Sequence, residues 1–283
     1  MELNFLDFIE IGTSDFDTEI QTNSGNGISI EPVKYYIDKL PDKSNVTKLN
    51  IGISNYNGKS FVYYVPPENI EKYDFPHWVR GCNTINSYHK TVETICKEKK
   101  LKIEDVSNCY EIDVKTLFSL FMEKPINGVY YLKIDTEGHD TVILKKFYED
   151  ITSNIYLPHK ILFESNTLSN QTEVNEIITL YESKGYDLIY KDHDTLLKLN
   201  LNKIKNKTKF TKGIRNYYIM DYPPNYDEQN HPHLNTLESA KEYCMKHNYS
   251  GVTLEGGVYS VRGGKYINYF NDFTGSLISW VYL

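Results

Sequence analysis

The chain has 283 residues, 40% hydrophobic and 14% aromatic with 25 tyrosines, enough for one large α/β domain or a medium domain beside a small one, and too apolar for a disordered chain. A net charge of −7 argues against a general nucleic-acid binder, and no run approaches the roughly 18 apolar residues of a membrane span. The opening MELNFLDFIEIG lacks the basic leader of a signal peptide, and Cys82, Cys96, Cys109 and Cys244 form no CxxC pair, so reduced thiols in a cytoplasmic protein are expected.

Residues 5–11 (FLDFIEI) read as a buried strand running into Glu10-Ile11-Gly12-Thr13-Ser14-Asp15-Phe16-Asp17-Thr18. A strand closing on acid-x-Gly and small polar residues suits a tight turn that passes close to a ligand. The turn is neither G-x-G-x-x-G nor a Walker loop, and its aspartates repel phosphate while welcoming a cationic ligand. Residues 27–32 (GISIEP) form a second short strand ending in Glu31, with Pro32 placed to open a helix, VKYYIDKL. Glu31 follows Glu10 at about the 20-residue offset of the ribose-binding acid in nucleotide-binding α/β units.

Residues 47–54 read as a third strand, 55–58 as a turn and 60–65 as an additional strand. Residues 68–108 show little regular pattern; they carry His77, Trp78, Arg80 and His89, which suit sugar stacking and hydrogen bonding. The plain alternative is a surface loop anchored by Trp78. A short strand at 111–114 and a helix at 116–121 follow. Residues 129–134 are strand-like and stop at Asp135-Thr136-Glu137-Gly138-His139-Asp140. Three acids and a histidine thus sit where a strand emerges, the end at which open α/β sheets bind ligands; the alternative is a polar turn into a helix carrying Ile143, Leu144, Phe147 and Tyr148. Residues 160–163 form the next strand, ending in Glu164; 171–184 a helix with Val174, Ile177, Ile178 and Tyr181 inward; 186–190 and 195–199 a final antiparallel pair.

This order predicts a Rossmann-like, doubly wound, mostly parallel sheet over residues 1–200. Lysines without acids predict a solvated basic linker at 201–216, or a contact for an anionic partner. Pro223-Pro224 and His231-Pro232 punctuate a loop, and 217–283 form a small α+β module. It holds a helix at 235–247 capped by Asn235 and Glu238, a hairpin at 252–262, and the segments KYINYF and LISWVYL. The module suits a stabilising extension, a homo-oligomer contact, or a glycan or protein surface built on Tyr259, Arg262, Tyr266 and Trp280.

Three stretches, EIGTSDFDT, ISIEP and LKIDTEGHD, together resemble the FkbM-type family of S-adenosylmethionine-dependent O-methyltransferases. In that family the first strand ends in acid-x-Gly, the second in an acid often followed by Pro, and a later strand reads L-K-I-D-x-E-G-H. Leu132, Lys133, Ile134, Asp135, Glu137, Gly138 and His139 are all in place, and IGISNYNG is similar to the family's third strand and turn. The resemblance spans about residues 3–199. Phe16 departs from it by replacing the usual second glycine, and the helices expected ahead of the first strand are missing. Cover over the substrate is then expected from the 68–108 insertion, the C-terminal module or a partner chain.

The resemblance implies S-adenosylmethionine held by Glu10, Gly12, Thr13, Ser14, Asp15, Glu31, Pro32, Ser54 and Asp135. Glu31 would take the ribose hydroxyls, and Glu10 or Asp15 the ammonium. It implies methyl transfer to a hydroxyl of a sugar or glycoconjugate. The chemistry of that transfer needs a base, for which Asp135, Glu137 or His139 is placed at the strand end, and His77, Trp78, Arg80, His89 and Glu164 are the candidates around the acceptor. A divalent metal on Glu164 and one of those three is the alternative way to acidify the hydroxyl. The rivals are a non-catalytic binding or assembly protein and a nicotinamide-dependent oxidoreductase, which the missing glycine-rich turn disfavours.

Overall fold

The computed structural model describes residues 4–224, 226, 234–270 and 276–283; the His231-Pro232 pair lies outside the described residues. Strand β1 (Asn4–Ile11) buries Phe8 and Ile9 completely, as a β-branched and aromatic run at the centre of a sheet must. Helix α1 (Glu19–Thr22), β2 (Gly27–Ile30), α2 (Lys34–Lys39) and β3 (Val46–Leu49) follow, with β2 parallel to β1 and β3 parallel to β2. The single strand expected over 47–54 is divided. Its second half, β4 (Gly52–Ser54), leaves for another sheet. Asn50 holds the corner, its side-chain amide donating to the carbonyls of Glu31 (2.9 Å) and Pro32 (2.8 Å).

The insertion is regular where little pattern was expected. After β5 (Gly58–Tyr64) come α3 (Pro67–Lys72), a 3-10 turn (His77–Gly81), β6 (Thr84–Ile85), α4 (Lys90–Glu98), α5 (Ile103–Val106) and β7 (Asn108–Thr116). The second sheet runs β4-β7-β5-β6. The helices pack on a core of their own, including Ile70, Val79, Cys82, Val92 and Cys96. Trp78 does not anchor it: that ring is 52% exposed, and its neighbour Val79 is the buried one.

Helix α6 (Leu117–Glu123), β8 (Ile126–Ile134), α7 (Asp140–Asp150), β9 (Lys160–Glu164), α8 (Gln171–Ser183), β10 (Tyr186–Lys191) and β11 (Asp194–Leu199) complete a seven-stranded sheet of order β10-β11-β9-β8-β1-β2-β3. It is mostly parallel; β11 alone runs against its neighbours. The inward stripe of α8 is the expected one. From β1 the chain builds outward on one side and then, from β8, on the other. Strand order therefore reverses between β1 and β8, whose ends Ile11 and Ile134 are register partners. Such a switch point opens a crevice.

Residues 201–216 are not a wholly solvated linker. Leu201, Ile204, Thr211 and Ile214 are buried, Lys203 pairs with Asp187 at 2.5 Å, and Lys207 Nζ donates to the Tyr249 carbonyl at 3.0 Å. Beyond them lie β12 (Ile214–Arg215), β13 (Tyr217–Ile219), α9 (Leu237–Lys246), β14 (Gly251–Glu255), β15 (Val258–Arg262), β16 (Ile267–Tyr269) and β17 (Ile278–Val281). They form one sheet of order β12-β17-β14-β15 and the pair β13-β16. Thr236 and Ser239 cap α9, in place of the expected Asn235 and Glu238. Ile214, Tyr217, Ile219, Val281 and Leu283 share one apolar cluster with Leu6 and Val129, and Tyr217 donates to Asp7 Oδ1 at 2.7 Å. Arg262 and Tyr266 are engaged internally, over the Tyr222 ring at 4.2 Å and on Asp187 at 2.6 Å. Among the described residues no helix is long and apolar enough to cross a membrane.

Candidate active site

The ends of β1 and β8 close on each other through Gly12. Its amide donates to Ile30 and the Asp135 amide donates to Ile11, both at 2.9 Å. Gly12 has φ +80°, and a Cβ there would stand 1.8 Å from the Asp135 carbonyl oxygen. Only glycine permits that approach. Ser14 (φ 47°) and Asp17 (φ 53°) turn the chain sharply behind it, and Thr13 Oγ1 donates to the Ser14 carbonyl at 3.2 Å.

Glu10 and Glu31, alike in sequence, are placed differently. Glu10 accepts from the amides of Glu19 (2.5 Å) and Ile20 (3.0 Å) and from Ser29 Oγ (2.5 Å). It holds the start of α1, burial pushes its carboxyl up, and it does not line the crevice. Glu31 does. Its Oε2 accepts from the Ser14 amide and its Oε1 from the Val33 amide, each at 2.8 Å. One acceptor direction on each oxygen is left for a ligand. Burial pushes this carboxyl up to about 7.

Gly12, Glu31, Pro32, Gly81, Asp135 and His139 are among the walls of a first cavity, with Ile51 and Ile53 as apolar surface. Asp135 is open to that cavity yet surrounded by protein. Poor solvation there, with the charges of Asp140 and Glu137, pushes its carboxyl up to about 7. A second cavity of about 190 Å³ has Thr84, Ser87, His89, Glu137, Gly138 and Leu168 in its walls. The two share Ile85, Thr136 and His139.

His139 precedes α7, and its Nε2 lies 2.9 Å from Ser54 Oγ. The Ser54 hydroxyl donates to Asn55 Oδ1 at 3.3 Å. Which atom donates in the His139–Ser54 bond follows the tautomer of the ring. Burial lowers the pKa of the ring, so it is neutral near pH 7.

Asp140, fully buried, ties the turn together. Its Oδ1 accepts from the amide (2.9 Å) and hydroxyl of Thr136, and its Oδ2 from the Glu164 amide (2.8 Å). Glu164 Oε1 accepts from Asn166 (2.5 Å), its Oε2 is buried without a partner, and burial with three neighbouring acids pushes the group up to about 8. Glu164 lines neither cavity.

His89 Nε2 lies 3.0 Å from Glu137 Oε2, and its Nδ1 accepts from the Thr91 amide at 3.2 Å. Cys82, His89 and Glu137 offer ligand atoms within 4.8 Å of one another. The arrangement does not fit a metal as it stands. The Thr91 amide occupies Nδ1, so the neutral ring carries its proton on Nε2 and has no lone pair to give. Burial, Glu137 and Glu164 push the Cys82 thiol up in the metal-free protein. His89 is therefore a donor that orients Glu137.

Of the acceptor-side candidates, His89 lines the second cavity, whereas His77, Trp78, Arg80 and Glu164 do not. Arg80 instead joins the first turn, with Nε 3.4 Å from Asp15 Oδ1 and the guanidinium 4.6 Å above the Phe16 ring. Ile51 and Ile53 lie in the IGISNYNG stretch but carried no signal as wall residues, and Asn83, Ile85 and Leu168 had none at all. They come from the corner into the second sheet, the insertion and a loop, which only the fold assembles.

A crevice at the strand-order reversal of a mostly parallel α/β sheet, entered by strand-end acids, defines a ligand-binding α/β protein. Residues 10–188 match the model of the methyltransferase FkbM domain, and the chain belongs to that family. No curated protein and no solved structure matches the chain. The matched span holds both cavities and ends within β10.

Proposed function

We propose that the protein is a cytoplasmic S-adenosylmethionine-dependent O-methyltransferase acting on a hydroxyl of a sugar or glycoconjugate. Residues 1–200 would be its Rossmann-like, doubly wound domain, 201–216 the connection and 217–283 a small α+β module. The strand order and its reversal at β1 support the domain reading. Four unpaired cysteines support the compartment.

The observation that carries the activity is that His139 is the one ionisable side chain in the walls of both cavities, among the described residues. The first cavity suits the methyl donor. Glu31 offers its free acceptor directions to two adjacent hydroxyls, and Pro32, Ile51 and Ile53 offer apolar surface to a flat base. Asp15, on the first turn but not among those walls, has Oδ1 buried without a hydrogen-bond donor, an orphan that an ammonium would satisfy. When bound, S-adenosylmethionine supplies an electrophilic methyl group on a sulfonium cation.

The chain's own part is to position and deprotonate the acceptor. Thr84 and Ser87 offer hydroxyl partners in the second cavity, and Ile85 and Leu168 limit water. His139, neutral, takes the hydroxyl proton at Nδ1 in the tautomer that donates from Nε2 to Ser54. Glu137, oriented by His89, stands in the same wall.

Thermal unfolding with S-adenosylmethionine, its demethylated product and NAD in parallel tests the reading. Ligand at about 100 times its dissociation constant should add about 2.7 kcal/mol. A shift with NAD alone would sink it, and no shift with any of the three would favour a binding or assembly protein. Mass spectrometry of a glycan panel incubated with the donor identifies the acceptor; transfer to non-glycan hydroxyls alone would overturn the substrate class.

A further inference from the structure

The cavity read here as the donor site measures about 40 Å³, whereas pockets that hold small molecules run roughly 300–1,000 Å³. Something must move. Most of its walls are strand ends of the two sheets and the turn into α7. The exception is the side closed by Gly81, Asn83 and Ile85, which belongs to the insertion between β5 and β7. Ile85 is fixed by the pairing of β6 with β5, but the 3-10 turn that ends at Gly81 packs on a separate apolar core through Val79 and Cys82, and is the part free to shift.

Its fastening to the first turn is local and centred on one side chain. Ser14 Oγ donates to the Arg80 carbonyl at 3.0 Å. The Arg80 guanidinium lies 4.6 Å above the Phe16 ring, and Gly81 sits so close that a Cβ would come within 2.9 Å of it. Arg80 Nε is 3.4 Å from Asp15 Oδ1, and Lys39 Nζ is 3.9 Å from Oδ2. Yet Asp15 Oδ1 has no hydrogen bond. Arg80 balances its charge without satisfying it.

We propose that Arg80 is a placeholder cation that latches the insertion over the donor cavity, and that the ammonium end of an amino-acid-bearing nucleoside displaces it from Asp15 and lets the insertion open. The proposal rests on the reading of the first cavity as an S-adenosylmethionine site. An ammonium has three donors free to align with Oδ1, which Arg80 Nε does not, so the exchange keeps the charge pair and gains a directed hydrogen bond. Phe16 gives Arg80 a ring face to rest on until then. A glycine at that place would not, which assigns a purpose to the departure at Phe16.

The molecule carries its own reporter. Trp78 lies on the 3-10 turn two residues before Arg80 and is one of two tryptophans. In the full-length Trp280→Phe protein, stopped-flow emission should change as S-adenosylmethionine or its demethylated product binds, with calorimetry measuring occupancy. Arg80→Ala, which removes the competitor, should speed association and tighten binding, by about tenfold if the latched state dominates. Arg80→Lys should fall between, and Asp15→Asn should weaken binding. Saturation by calorimetry with no change in Trp78 emission would overturn the moving insertion and leave the cofactor reading standing. Slower or weaker binding by Arg80→Ala would overturn the placeholder role, because Arg80 would then assist the ligand. No binding by the parent protein would overturn both.

Discussion

His139 Nε2 lies 2.9 Å from Ser54 Oγ, so the residue that opens α7 is tied to the end of β4 in the other sheet. The bond engages Nε2 and leaves Nδ1 as the ring atom available for proton transfer. His139→Ala should therefore lose turnover by about 10²–10⁴-fold while keeping the thermal shift with S-adenosylmethionine. Ser54→Ala frees the ring and should cost less. Because burial lowers the pKa of His139, kcat/KM should rise with pH through a value below about 6.5 and then stay flat. A limb that falls across that range would rule this base out.

Glu31 is the acid on which donor binding depends. Glu31→Ala should abolish the thermal shift, and Glu31→Gln should weaken binding by at least about tenfold, since a hydrogen bond to a charged group contributes roughly 1.5–3 kcal/mol. Unaltered binding by either variant, read by calorimetry, would assign the hydroxyls elsewhere.

The ligand-free protein should lose stability as pH rises from about 5 to about 8. Glu31 and Asp135 at about 7 and Glu164 at about 8 hold their protons to higher pH in the folded chain than in the unfolded one. Between the unfolded values, 3.8 for the aspartate and 4.5 for the glutamates, and those values the native state binds more protons, so the slope of stability against pH is negative. Scanning calorimetry across that window should show a falling Tm. Glu164→Gln, which removes the group that titrates last, should flatten the upper end.

Asp140→Ala should destabilise the protein strongly. It strips acceptors from the Thr136 amide and hydroxyl and from the Glu164 amide, and an unsatisfied buried polar group costs about 1–3 kcal/mol. Urea unfolding measures the loss, and a change below about 1 kcal/mol would show that solvent reaches the turn. Deleting residues 200–283 should likewise prevent cooperative folding. It would uncover the apolar cluster that Ile214, Tyr217, Val281 and Leu283 share with Leu6 and Val129. A truncated chain with the Tm of the whole would show that the two parts are independent.

The strand ends were legible because a β-branched run that stops on acid-x-Gly or on Asp-Thr-Glu-Gly-His fits a strand leaving a sheet and little else. The division of the third strand was not. Ile51-Gly52-Ile53 prolongs the apolar run, and the side chain that turns the corner, Asn50, bonds to carbonyls about twenty residues away. The insertion escaped because its helices are short and bury few residues each; α4 hides only Val92 and Cys96. Glu10 and Glu31 looked equivalent, since nothing in a linear pattern says which acid the α1 amides will claim. Asn235 and Thr236 are both good helix caps, and the second forms the reciprocal bonds with Ser239.

β3 and β4 lie in different sheets and are joined only through Asn50 and Ile51. The sheets are joined a second time by α6, between β7 and β8, and Ile53 of β4 packs into the apolar core of the first sheet. Two chain crossings and a shared core bind the sheets into one cooperative unit, so their slowest amides should exchange with a single opening free energy, and two distinct ones would show sheets that open separately.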